Sequence, residues 1–136
     1  PAIIARHPKF MSVNAALEVD FYGQVCAESI GTRHISGTGG QSDYVRGAIQ
    51  SEGGKSFIAF SSTAGGGEVS RIVPTLTPGA CVSTSKNDVD CIVTEYGIAK
   101  LRGKTLSQRT KALIAIAHPK FRDGLTYQAK KENIMI

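Results

Sequence analysis

Tryptophan is absent from these 136 residues, aromatics make up only 7%, and cysteine occurs three times, at Cys26, Cys81 and Cys91. An odd cysteine count without Cys-x-x-Cys spacing argues against a disulfide framework and against a cysteine zinc site. Reduced, mostly buried thiols in a cytoplasmic protein are expected. No apolar run approaches the ~20 residues of a membrane span. No basic segment followed by an apolar stretch and a cleavage site opens the chain, so secretion is not expected. The three histidines, His7, His34 and His118, lie far apart and outside any ligand motif. Internal repeats and low-complexity stretches are also missing.

What is present is an ordinary globular composition, 41% hydrophobic and 20% charged. The length suits one domain with its own core. Pro1 stands where an initiating methionine would, which points to a processed or excised piece. The net charge of +5, from 16 Lys+Arg against 11 Asp+Glu, favours anionic partners only weakly. Basic residues thicken towards the end, from Lys100 to Lys131. No aromatic recognition pattern accompanies them, so a solvated helical face is expected there and nucleic-acid binding is not.

"PAIIAR" reads as the end of a short helix. "MSVNAALEVDFYGQVCAES" reads as two strands around a turn, with Ala15, Leu17 and Val19 alternating with Ala16, Glu18 and Asp20. "DFYGQ" supplies the turn. Beyond Gly40, Tyr44, Val45 and Ala48 have the spacing of a short helix facing a sheet, with Asp43 in its first turn. "SEGG" ends it. "KSFIAFSST" has the near-continuous apolar character of a strand buried on both faces. "VSRIVPTL" reads as a second strand limited by Pro74, "ACVSTS" as a short third, and "DVDCIVTEYG" as a fourth that buries Cys91, Ile92 and Val93. The remainder is expected to be helical. Thr105 or Ser107 caps a helix bearing Leu106, Leu113, Ile114 and Ile116, and Pro119 breaks the pattern or opens the last helix.

Chemistry concentrates in "HISGTGGQSDYVRGA", His34 to Ala48. Glycines at 37, 39 and 40 sit between a strand and a helix. Glycine is used where the backbone must bend or be approached closely, and helix N-terminal amides hold anions or polarised oxygens. A tight turn is the structural alternative. The loop is no dinucleotide fingerprint, because position 42 is Ser42. "GGKS" at Gly53 to Ser56 is no P-loop either, because position 48 is Ala48 and a strand follows. Glu18, Asp20, Glu28, Asp43, Glu68, Asp88, Asp90 and Glu95 carry no motif, and most are expected to be surface carboxylates or caps.

The ordered series "SVNAALEVDFYGQVCAESIG", "ISGTGGQSDYVRGA", "GGKSFIAFSSTA", "SRIVP", "KNDVDCIVTEYGIAKLRGKTL" and "ALIAIAHPKFR" resembles the C-terminal half of the acetyl-CoA hydrolase/transferase family. Within that family it is similar to the 4-hydroxybutyrate coenzyme A transferases. The likeness covers nearly the whole chain. It implies an α/β open-sheet domain of the CoA-transferase type, with helices packed on the sheet, residues 1–136 being the C-terminal domain of a longer two-domain enzyme. It implies acyl-CoA as substrate with no permanently bound cofactor. The implied partners are a small carboxylate, the N-terminal domain of the same enzyme and further copies of it. A glutamate is implied to attack the thioester and end as a glutamyl-CoA intermediate. That glutamate belongs upstream, and its Gly-x-His-x-Glu-like context is absent here, so no catalytic residue is expected in this chain. Gly40 and Gly39, with Ser36 and Gly37 on the entering strand, are implied to lie against the thioester and pantetheine arm. Leu17 is implied to line the same channel. Gly65 occupies a CoA-contacting position where many relatives carry lysine. The alternatives are an acetyl-CoA hydrolase and a non-catalytic α/β module that binds a nucleotide-like anion.

Overall fold

The computed structural model describes residues 1–135. Helix α1 (Ala2–Ala5) leads into strand β1 (Met11–Asn14). Strands β2 (Glu18–Asp20) and β3 (Val25–Cys26) form a hairpin, as do β4 (Ser29–Ile30) and β5 (Arg33–His34). Helix α2 (Gln41–Gln50) precedes β6 (Lys55–Ala59), and β7 (Thr63–Ala64), β8 (Val69–Ser70) and β9 (Ile72–Val73) follow. Strands β10 (Cys91–Thr94) and β11 (Gly97–Lys100) then lead to helices α3 (Leu106–Ile116) and α4 (Pro119–Lys131).

The principal sheet has the order β1-β6-β10-β11, with β1, β6 and β10 parallel and β11 antiparallel. A smaller sheet, β3-β2-β9, lies beside it. The α2 residues Val45 and Ala48 are buried with Ile58 and Ile92 of the main sheet. Helix α3 is tied to the same face, because Thr94 Oγ1 donates to the Ile116 carbonyl at 2.6 Å. Phe21, Val19, Val25 and Ile72 of the second sheet join Ile58, Ile92, Leu101 and Leu113 in one continuous core. Burying these side chains away from water is the main force holding the two sheets and three long helices together.

The α/β open-sheet architecture with packed helices is the expected one, and several elements fall where the sequence places them. The DFYGQ turn, the helix after Gly40, the strand at Lys55, the Thr105 cap and the Pro119 start are all present. Other expectations need correction. Met11–Asn14 is a separate strand in the main sheet, not part of the hairpin. Residues of "VSRIVPTL" split into β8 and β9 in different sheets, parted by Arg71. "ACVSTS" forms no strand. The Ser83 and Thr84 amides both donate to the Val25 carbonyl, which leaves one isolated bridge. Gly97–Lys100 is a strand rather than helix, because Gly97 at φ +141 lets the chain reverse beside β10. Tyr44 and Leu106 are 49% and 41% exposed and point away from the core, and Val93 is only half-buried. The strand at Lys55 packs closely on one face only: Ser56 and Ile58 are buried, while Lys55 is exposed and Phe57 and Ala59 are half-buried.

Candidate functional site

The glycine loop emerges from the β4–β5 hairpin and ends on the first turn of α2. Every residue from Thr32 to Gly40 is exposed. Gly39 has φ +58, a left-handed backbone that side chains rarely adopt. A Cβ at Gly37 or Gly39 would meet no protein atom within 4 Å, so neither glycine is required by packing inside this chain. Gly40 is the N-cap of α2 at φ −102, and a Cβ there would touch only the Tyr44 ring, at 3.4 Å. Glycine offers no capping oxygen, so the first-turn N–H groups of α2 are left to solvent or to a ligand.

The loop is exposed but anchored at both ends. The Ile35 and Ser36 amides donate to the Glu28 carbonyl at 2.8 and 3.0 Å. The Glu28 carboxylate accepts from Thr38 Oγ1 at 3.0 Å and from Ser83 Oγ at 2.6 Å. Ser83 Oγ also accepts from the Ala27 amide at 2.9 Å, and Ser42 Oγ of α2 donates to the Ser83 carbonyl at 2.6 Å. Glu28 and Ser83 therefore hold the strand side, the loop and the helix side in one polar cluster. The hydroxyls of Ser83 and Thr38 keep the Glu28 carboxyl below its usual pKa, because they stabilise its charged form.

The other expected site residues are placed less closely. Ser36 is exposed, and its hydroxyl donates to the Gly37 carbonyl at 3.1 Å. Leu17 is half-buried where the chain enters β2, and its amide donates to Cys26. Its hydrogen bonds tie it to the second sheet rather than to the loop. Gly65 begins the turn between β7 and β8, where Gly65, Gly66 and Gly67 have φ +60, +66 and +92. A lysine at 65 would adopt a left-handed backbone at some cost. A Cβ at Gly67 would lie 3.9 Å from Lys120 Nζ, so the first turn of α4 brings a cation to this turn.

Five of the eight carboxylates, Asp43, Glu68, Asp88, Asp90 and Glu95, are exposed or half-buried, as expected of most of them, and three are not. Glu18, Asp20 and Glu28 are all buried. Glu18 accepts from the Thr77 amide and hydroxyl at 2.7 and 3.0 Å. Asp20 accepts from the Tyr22 and Gln24 amides and from the Gln24 side chain, shaping the DFYGQ turn. Burial nonetheless pushes the Asp20 carboxyl up. Glu95 accepts from the Ser62 amide and hydroxyl, and the Ser62 hydroxyl above all holds its pKa low. The role of Glu28 and Ser83 was not legible in the sequence. The two lie 55 residues apart, and no local spacing marks them. Cys26 and Cys91 are buried and free, and Cys81 is half-buried and free. Among the described residues no cluster of His, Cys, Asp and Glu could hold a metal ion, and no helix is long and apolar enough to cross a membrane.

Comparison with known proteins places this geometry. The profile of the acetyl-CoA hydrolase/transferase C-terminal domain matches residues 1–129. The 4-hydroxybutyrate coenzyme A transferase of Clostridium kluyveri is 56% identical over 131 residues, covering 96% of this chain and 30% of that protein. The succinyl-CoA:cyclohexane-1-carboxylate CoA transferase of Geobacter metallireducens is 57% identical over 133 residues, covering 98% and 30%. The crystal structure of RipA from Yersinia pestis superposes with a TM-score of 0.91 at 43% identity, covering 98% of this chain and 30% of that one. The chain thus spans about 30% of the length of these relatives. A match of this extent, at more than half identity to proteins of one chemistry, places the chain in the acetyl-CoA hydrolase/transferase family, where it corresponds to the C-terminal domain.

Proposed function

We propose that this chain is the CoA-binding C-terminal half of an enzyme that transfers CoA between an acyl-CoA and a small carboxylate of the 4-hydroxybutyrate or acetate kind. The transfer passes through a glutamyl thioester whose glutamate lies outside residues 1–136. Acyl-CoA enters as substrate, not as a resident cofactor. The N-terminal domain of the same enzyme supplies the other wall of the site and the nucleophile. The free thiols fit a cytoplasmic setting, where they stay reduced.

The observation that carries this reading is the glycine loop, taken with the CoA-transferase relatives. Gly37 and Gly39 face open space, and Gly40 caps α2 without a side chain. A flat thioester and its pantetheine arm can lie against such a backbone, and the α2 amides can accept the charge that develops on the carbonyl oxygen. Ser36 borders the same surface. Leu17 and Gly65 are assigned more distant contacts along the CoA channel.

Gly40→Val in the full-length enzyme tests the reading. Valine adopts φ −102 readily, and Tyr44, half-exposed, can yield to its methyls. The circular dichroism spectrum should match wild type while turnover falls about 100-fold or more, the scale of losing an oxyanion contact. An unchanged rate would reduce the loop to a turn.

A further inference from the structure

The DFYGQ turn, the segment at Lys86 and the start of α3 enclose a cavity of about 230 Å³, lined by Tyr22, Lys86, Asn87, Leu106 and Arg109. Arg109 ties its walls together. The guanidinium donates from Nη1 to the Tyr22 and Lys86 carbonyls at 3.2 and 2.8 Å, and from Nε to the Lys104 carbonyl at 3.3 Å. A Cβ at Gly23 would come within 3.3 Å of Nη1, so glycine keeps room there for the guanidinium. Nη2, with its two N–H groups, is left without a partner among the described residues. Lys86 Nζ stands 5.6 Å from the centroid of the Tyr22 ring. Arg102 Nη1 donates to the Asn87 carbonyl at 3.4 Å.

The cavity gathers positive charge with no carboxylate on its walls. Among the described residues the one ion pair joins Arg46 to Asp88 at 2.9 Å, so that carboxylate is engaged elsewhere. Asp20 is buried within the turn, and its oxygens accept from the Tyr22 and Gln24 amides and from the Gln24 side chain. Asp90 lies with Lys100 and Arg102 along a different cavity and offsets part of the Arg102 charge. Lys86 and Arg109 have no such offset. No acidic residue stands in the first turn of α3, where the helix dipole would favour one. Burial and then the Arg102 charge push the Arg109 guanidinium below its usual pKa, and both effects disfavour the cation. The three carbonyl contacts explain Arg109 as a fastener of the turn. They do not explain the exposed Lys86 beside it, since like charges held together repel.

We propose that this cavity binds a phosphate or diphosphate group of a small metabolite, with Lys86, Arg109 Nη2 and the Asn87 side-chain amide as its polar contacts. A phosphate monoester carries close to two negative charges at neutral pH and three acceptor oxygens. A carboxylate carries one charge and two oxygens, so the phosphate is the better match to two cations and an amide. At about 230 Å³ the cavity is smaller than the about 300–1,000 Å³ of sites that enclose drug-sized ligands. That size fits a phosphate group with the rest of the metabolite outside. Tyr22 and Leu106, 37% and 41% exposed, give that remainder an apolar edge to lie against. The site shares no residue with the glycine loop, and it does not depend on the transfer reading.

Calorimetric titration of the full-length enzyme, with and without saturating CoA, tests the proposal with inorganic pyrophosphate, ADP and succinate as probes. Pyrophosphate should bind saturably in both conditions. Lys86→Gln should weaken it about tenfold, the scale of one charge-assisted hydrogen bond, while the circular dichroism spectrum and the CoA-transfer rate stay as in wild type. ADP binding no tighter than pyrophosphate would make the phosphate alone the ligand, and tighter binding would place a ring against Tyr22 and Leu106. Both results support the site. No saturable binding of either probe, or binding unchanged by Lys86→Gln, would overturn the proposal. Succinate binding as tightly as pyrophosphate would make the patch a general anion surface and overturn it equally. Pyrophosphate binding abolished by CoA would assign these contacts to the phosphates of the substrate, which also overturns a separate site. The transfer rate, measured alongside, reports on the functional reading independently.

Discussion

Glu28 organises a loop with almost no packing of its own: its carbonyl accepts from the Ile35 and Ser36 amides and its carboxylate from Thr38 Oγ1. The residues it holds, Ile35 to Thr38, are exposed, so their order depends on hydrogen bonds rather than on buried area. A carboxylate accepting two hydroxyls is favoured as the anion, and its pKa is lowered. A lowered acid binds its proton more readily in the unfolded chain. Its stabilisation is therefore present above the usual value of 4.5 and is lost as the pH falls through the lower folded value. Amide exchange at Ile35 and Ser36, whose N–H groups donate to the Glu28 carbonyl, measured from pH 6 downwards, should show protection falling away below that range. Glu28→Gln should weaken protection at pH 6 and flatten its pH dependence, while the core amides around Ile92 stay unchanged. A variant with the wild-type pH profile would remove Glu28 from this role. Asp20 behaves in the opposite sense. Burial raises its pKa, so its contribution is greatest below 3.8 and declines as the pH rises through the folded value.

At the scale of the element, the three long helices differ in how their N-termini are capped. In α3 the Thr105 hydroxyl accepts from the Gln108 amide and the Gln108 side chain accepts from the Thr105 amide, a reciprocal capping box. Thr105→Ala should lower unfolding stability by about 1 kcal/mol in a urea titration. A change within error would mean that α3 is held by its buried Leu113 and Ile116 alone. In α4, Pro119 occupies the first turn and His118 Nδ1 accepts from the Lys120 amide at 3.2 Å. Helix α2 has no side-chain cap, and this is where the proposed thioester contact falls. A helix terminus left open by glycine forgoes stabilisation that Ser or Asp would give, consistent with its being kept for a ligand.

For the whole molecule, the proposed partition of the enzyme sets what this chain can do alone. Its continuous core, from Ala16 to Met135, should sustain cooperative unfolding. With one wall of a two-walled cleft it should bind CoA weakly, because the cost of immobilising the ligand is undiminished while the contacts are fewer. Any residual affinity should fall with added salt, if scattered lysines and arginines are what the phosphates meet. Calorimetric titration at low and high ionic strength measures both. Micromolar, salt-insensitive binding would mean that the domain holds a complete pocket. Incubation of the same chain with acetyl-CoA and a carboxylate should yield no transfer above a blank, and turnover would place the nucleophile within these residues.

Local signals in the sequence determined the helix after Gly40, the DFYGQ turn, the Thr105 cap and the Pro119 start, because caps, turns and glycine conformations act over a few residues. The motif series also determined the family. Tertiary structure alone decided which side of each strand is buried, and why Glu18, Asp20 and Glu28 lie inside. Their partners, Thr77, Gln24 and Ser83, come from turns and distant segments that sequence spacing does not align. It also decided that Met11–Asn14 joins the main sheet and that Gly97–Lys100 pairs with β10, since strand pairing is a contact between segments remote in sequence. The one-sided packing of the strand at Lys55 has the same physical origin. An apolar strand announces that it will be buried, but only the packed chain reveals which of its faces this chain itself covers.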